Sequence, residues 1–355
     1  MVSTLIAGWG LMGLRPVHMP PEDVETEVRQ RTAPLQVLKK SPLKFPPDNV
    51  AYEFPWMTEG LVKSSSDPQL RFRVFSQNSA THEQLAPQVT SLLLKLWQYN
   101  SQSLGIDHRP DYRRLVDVYL CINGQPGGQQ LFDEDLQAPR GQSTKVNNIY
   151  IYDLASFTDP IERLREVAHE YGHAVLSAIG GYSNPEYWAN GFLGEKLFLT
   201  QLSREKGSLE TKQSDWMVGA SNEALALWVQ KECTPLMLSA AQSFPPSAME
   251  GINAAAMNRY IGLMLWMQFT HPPKVLGRMI KFQSDPKPTT VPSSIVEAVD
   301  GAGPFEFSVP ASLKGKAIWL PWAKYNLTGC KLVSKKEGWV QVQVTTDKIS
   351  ASQSL

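Results

Sequence analysis

Cysteine is scarce in this chain and widely scattered: Cys121, Cys233 and Cys330 are the only three, and none belongs to a CxxC pair. That excludes a disulfide scaffold and a thiolate zinc ribbon, and the odd number leaves at least one thiol free or intermolecular. Charge is thin as well. Only 19% of the 355 residues are charged, below the roughly 25% usual in soluble chains, and 34 basic residues balance 34 acidic ones. No global pull towards nucleic acid or anionic lipid follows from that balance. Long apolar runs are missing too. The N-terminal stretch Leu5 to Leu14 is about half the roughly twenty residues that a stable membrane span needs. No Lys or Arg precedes it, as a secretory n-region requires. Two readings stand for it, a degraded or truncated export signal and a plain buried segment, and the first makes a secreted or extracytoplasmic location the expectation over a cytoplasmic one. No internal repeat is visible.

What is present is enough apolar material for a substantial core, 42% of the residues, in a chain about two domains long. Residues 1–70 hold nine prolines between Pro16 and Pro68 and little periodicity, the pattern of an extended arm that ends in the turn Ser64 to Asp67. Residues 71–284 read as the main α+β domain. Arg71 to Ser76 alternates as a strand, and Glu83 to Tyr99 sets Leu85, Val89, Leu92, Leu93, Leu96 and Tyr99 on one helical face. Leu115 to Ile122 and Asn148 to Asp153 are further strand candidates, separated by a Gly/Pro-rich loop. Asp159 to Ile179 reads as a helix with Asp159 as N-cap, Pro160 at its first position, Glu162 completing a capping box, and Gly180-Gly181 as the stop. Glu186 to Ser203, Trp216 to Lys231 and Ile252 to Thr270 are helix-like. Residues 285–355 turn to alternating segments, Phe305 to Val309, Ala317 to Leu320 and Gly338 to Thr345, which predict a small C-terminal β-module.

The capped helix carries His169-Glu170-Tyr171-Gly172-His173, an HExxH motif. Residues four apart on a helix sit only about 40° apart around the axis, so both imidazoles can reach one metal ion. Glu170 falls on the same side, placed to take a proton from a bound water without itself being a ligand. Chance placement of two histidines and a glutamate at this spacing has a frequency of about 1% in such a chain. The helix is apolar nearly all round, so these three side chains would be costly inside it without partners.

The segment REVAHEYGHAVL, residues 165–176, resembles the active-site helix of zincin metallopeptidases, and the preceding β, α, β, β order is similar to that superfamily's upper subdomain. The resemblance covers about residues 70–230. It implies an α+β zincin-like catalytic domain of a small mixed sheet, an active-site helix and a helical subdomain. It also implies one Zn2+ per chain and an edge strand just before the active helix that pairs with substrate backbone, here Asn148 to Asp153. Leu176 and Ile179 stand where the metzincin branch has its glycine and third histidine, and no EGCLS-like segment of peptide deformylases is present. What remains is the gluzincin pattern, with a glutamate from a later helix as third ligand.

Glu195 is the first candidate, 22 residues after His173, because Trp188, Phe192, Glu195, Leu199 and Leu202 share one helical sector, and Gly191 and Gly194 allow close approach. Glu223 in NEALALW competes, and Glu186 or another carboxylate completes the field. For the oxyanion, His271, Tyr260, Tyr182 and Tyr187 are available. The expectation is therefore a zinc metallopeptidase in which His169, His173 and Glu195 hold the metal and Glu170 is the general base. Its partner would be a peptide or protein substrate, with no nucleic acid and no stable membrane span, and the oligomeric state is left open. The alternative is a catalytically inactive zincin-fold protein that binds peptide or glycan. An assembly protein built on the helical half is a further rival, resting on Met257, Met264 and Met267, which are more economically core.

Overall fold

The computed structural model describes residues 25–38, 52–63, 68–77, 80–122, 124–134, 145–183, 185–206, 215–249, 251–281 and 287–353. The stretch Leu5 to Leu14 and the turn Ser64 to Asp67 lie outside them. The fold is α+β. Among the described residues, no helix is long and apolar enough to cross a membrane, and all three cysteines are free thiols.

One six-stranded sheet organises the first half. Its strands are β1 (Thr26–Leu38), β2 (Tyr52–Lys63), β3 (Pro68–Ser76), β4 (Val116–Cys121), β5 (Gly127–Glu134) and β6 (Lys145–Tyr152), in the order β1-β2-β3-β4-β6-β5. The Pro-rich region expected as an arm thus supplies two full strands. β1 pairs antiparallel with β2, and β2 with β3. A register shift in β1 between Thr32 and Gln36 takes up Pro34, which has no N–H to give a ladder. Central strands β3, β4 and β6 run parallel, and β5 closes the sheet antiparallel to β6.

This order corrects the expected edge. β6, which contains Asn148 to Tyr152, is paired on both sides, and among the described residues the edge strand beside it is β5, whose start was hidden in a loop-like Gly/Pro sequence. Period-2 alternation sorts the central side chains. Val118, Leu120, Ile149 and Ile151 face the helices in the main core, whereas Tyr119, Cys121, Tyr150 and Tyr152 join Phe54 and Phe75 in an aromatic layer on the opposite face. Both faces are buried, which is why these strands read as continuous apolar runs.

Helix α1 (Ala80–Gln98) buries Leu85, Val89, Leu92, Leu93 and Leu96 against this sheet, as their spacing predicts. The second half is mainly helical around Ala254–Thr270, which is apolar and buried nearly all round. The C-terminal region forms two three-stranded sheets. Their contact with the helical half is specific: Trp266 donates to the Trp319 carbonyl at 2.9 Å, and Trp322 donates to His271 Nε2 at 2.8 Å.

His271 is thereby held as a neutral acceptor, and burial pushes it down to about 3. Burial likewise pushes His108, which bridges the Tyr171 hydroxyl and the Arg114 carbonyl, down to about 4. Both values lie below the unfolded pKa, so the unfolded chain binds more protons on acidification. Stability should be full above about pH 6.5 and fall as pH drops towards 4, by on the order of 3 kcal/mol for each histidine. Urea unfolding across that range measures the loss, and a His271 ring proton that titrates near pH 6.5 by NMR would contradict it.

Candidate metal centre and cleft

The motif sits on α2 (Pro160–Val175). Asp159 caps it by accepting from the Ile161 N–H at 2.9 Å, with Pro160 in the first position. Glu162 turns aside to Arg165, at 2.6 and 2.7 Å, and does not close a capping box. The helix stops at Val175, short of the expected Ile179. Asn190 is the reason: its amide donates to the carbonyls of His173 at 3.4 Å and Leu176 at 3.3 Å, supplying partners that another helical turn would have provided.

Asn190 opens α3 (Asn190–Lys206), four residues later than the predicted helix start. α2 and α3 cross where glycine meets glycine. A Cβ on Gly194 would lie 2.5 Å from Gly172 Cα, so nothing larger fits either position without parting the helices. This contact brings the start of α3 directly against the two histidines.

The imidazoles are braced from behind. His173 Nδ1 lies 2.9 Å from Asn190 Oδ1, and since a carbonyl oxygen only accepts, Nδ1 is the donor there and Nε2 is the ring nitrogen that faces the cleft side. His169 Nδ1 faces Glu195 Oε2 at 3.5 Å. The two Nε2 atoms turn towards Gly191, where a Cβ would stand 2.4 Å from His173 Nε2 and 2.5 Å from His169 Nε2. Both nitrogens can therefore come together beside α3 only because residue 191 has no side chain.

Glu186 faces the same space. Its Oε2 lies 3.0 Å from His169 Nε2 and 3.5 Å from His173 Nε2. Tetrahedral ligands about 2.05 Å from zinc are about 3.3 Å apart, so the two carboxylate-to-imidazole distances match two edges of such a tetrahedron. Glu186 Oε1 is buried without a hydrogen-bond partner. His169, Glu170 and His173 also offer ligand atoms within 4.8 Å of one another.

The expectation for Glu195 needs correction. It is buried, as its helical face predicts, but it lies on the Nδ1 side of His169, and its Oε1 is occupied by Arg165 Nε at 2.8 Å and Lys196 Nζ at 3.3 Å. The helical-wheel argument assumed that the helix already includes Glu186 and Trp188. Both precede it, in the segment that folds back over the histidines. Glu223 is exposed in the first turn of Asn222–Trp228 and makes no hydrogen bond or ion pair with the site.

Charge in this centre is tightly coupled. Burial works against a charged His169, but hydrogen bonds to Glu186 and Glu195 outweigh it and raise the imidazole to about 10. Glu195 also resists burial, held down to about 2 by His169, Lys196 and Arg165. Without a metal, the two carboxylates keep a cation between them. Glu170 behaves oppositely. Burial, reinforced by Glu166 and Glu186, lifts its carboxyl to about 7 against the pull of both histidines. It packs beneath the sheet edge, where a Cβ on Gly128 would come within 2.5 Å of its Cγ, and its Oε2 has no hydrogen-bond partner.

A cleft of about 700 Å3 opens from these groups. β5 forms one wall, the second half of α2 and Leu176 to Ala178 form the floor, and the segment from Glu186 to Asn190 forms the other wall. Of the oxyanion candidates, His271, Tyr260 and Tyr182 are buried outside this lining, and only Tyr187, beside Glu186, is exposed. Sequence reasoning missed Asn190, the clearance at Gly191 and the edge at β5. The pair Asn190-Gly191 at a helix start was the one visible trace of the first two. No protein-family model matches this chain, and a search of curated proteins finds no match either.

Proposed function

We propose that this protein is a zincin-like, zinc-dependent metallopeptidase, with His169, His173 and Glu186 as metal ligands and one Zn2+ per chain. The observation that carries the reading is the convergence of His169 Nε2, His173 Nε2 and the Glu186 carboxylate beside Gly191, which has no side chain to keep the two imidazoles away. A zinc ion held there would supply Lewis acidity, lowering the pKa of a bound water to about 7.

The chain's own groups do the rest. Asn190 and Glu195 fix the imidazole orientations, as outer partners do in metal sites generally. Glu170 takes a proton from the attacking water on its carboxylate and returns it to the leaving amine. The outer edge of β5 holds an extended peptide by backbone pairing beside Glu170.

Elemental analysis tests the reading together with cleavage of a peptide mixture. About one zinc per chain, and hydrolysis lost on chelation and restored by zinc, are expected; a protein that takes up no zinc would overturn it. The two carboxylates should separate. Glu186→Ala removes a ligand and should empty the site, whereas Glu195→Ala should retain zinc with affinity weakened by about tenfold to a hundredfold. The reverse result would return the ligand role to Glu195.

A further inference from the structure

Among the described residues, three aromatic side chains are exposed, Phe132 at 43%, Tyr187 at 58% and Trp188 at 41%; two of them belong to the cleft and the third, Tyr187, packs against Trp188. Phe132 and Trp188 line it directly, from the β5 wall and from the opposite wall. Holding large aromatic surface in water is unfavourable, so two such rings lining this cleft mark a place where another molecule covers them.

Both rings are also held in place. Phe132 packs on the Tyr112 ring at 4.7 Å and under the Arg109 guanidinium at 5.3 Å. Trp188 lies so close over Gly180 that a Cβ there would be 2.3 Å from the indole, and Tyr187 abuts it edge-on at 4.9 Å. Each exposed ring therefore has its own support, which limits the conformational entropy lost when a ligand is bound. The floor adds the apolar side chains of Val175 and Ala178 on either side of Ser177.

We infer that Phe132 and Trp188 are the two walls of a specificity subsite that clamps a large aromatic or aliphatic side chain of an extended peptide. This inference rests on the proposed reading of the cleft as a peptidase site. Strand geometry fixes where on the peptide the clamp acts. Gly128, Gln130 and Phe132 share one face of β5, and Leu131 packs on the other face of the sheet. A peptide added antiparallel to β5 runs from Phe132 towards Gly128, and residues directly opposite one another point to the same face. The clamped side chain is thus four residues N-terminal of the one opposite Gly128, which lies beside Glu170. Cleavage should fall about four residues after a bulky apolar residue, at roughly 3.3 Å per residue.

The experiment uses a peptide library of fixed length with one Phe, Trp or Leu moved along an Ala/Ser/Gly background. Cleavage sites are read by mass spectrometry for wild type, Phe132→Ala, Trp188→Ala and Trp188→Phe. Binding of the same peptides to the Glu170→Gln protein is followed by fluorescence anisotropy. Wild type should cut at a fixed offset after the bulky residue. Each alanine variant should lose that preference and raise KM by about tenfold to a hundredfold, with zinc content unchanged, and Trp188→Phe should retain most of it. Cleavage that ignores the bulky residue, or a preference that survives both alanine variants, overturns the subsite and leaves the peptidase standing. Peptides that neither bind nor are cut overturn both.

Discussion

Replacing Gly191 with alanine should take zinc content from about one ion per chain to near zero while the protein stays folded. The methyl group would lie 2.4 and 2.5 Å from the two Nε2 atoms, close to the 2.0–2.1 Å or so at which zinc itself sits from an imidazole nitrogen. It would force both nitrogens off the positions from which they could share one ion, without altering any ligand's chemistry. Gly191 is in the first turn of α3, where alanine is the better helix former, so local propensity opposes no part of the change. The wedge could be relieved only by swinging His169 and His173 outward, and each is braced from behind, by Glu195 and Asn190. Zinc analysis after dialysis, alongside thermal unfolding, separates a lost site from a lost fold. Full zinc in a folded Gly191→Ala protein would mean that the ion does not sit on the Nε2 side, and the proposed ligand set would fall with it.

What the sequence made legible was the part governed by local rules. The capped start of α2, the buried face of α1 and the apolar centres of β4 and β6 follow from spacing and side-chain type. The HExxH motif was visible because one helical turn is enough to place both histidines. The errors lie where a distant partner decides the outcome. α2 ends early because a side chain fourteen residues beyond Leu176 satisfies its last carbonyls. The wheel for Glu186 to Ser203 failed because its first four residues are not helical, so the angle that puts Glu195 in the core says nothing of which edge of His169 it meets. β5 was invisible for a physical reason. Gly127 and Gly128 weaken strand propensity, yet a side chain at 128 would strike Glu170 and Glu166, so the feature that makes the sequence look like a loop is the one that admits the carboxylates.

Glu170→Gln should reduce turnover by about a hundredfold to ten-thousandfold, the usual range for removing a general base, with zinc content unchanged. Glutamine keeps the shape packed under Gly128 but cannot accept the water's proton. The same substitution should also stabilise the metal-free protein. Glu170 is 4% exposed, and its carboxyl is raised to about 7, whereas in the unfolded chain it would ionise near its usual 4.5. The folded state therefore binds the extra proton, so stability declines as pH rises from about 4.5 to 7 and stays lower above that. At neutral pH the shift corresponds to about 3 kcal/mol, and an amide, which never ionises, escapes it. A residue kept for the fold would lose stability on such a change; one kept for chemistry should gain stability and lose activity together. Urea unfolding of both metal-free proteins at pH 5 and pH 8 reads the difference directly, with Glu170→Gln ahead at pH 8 and the gap closing at pH 5. A variant that is less stable at both values and still hydrolyses peptides would place Glu170 in the architecture and remove it from the reaction.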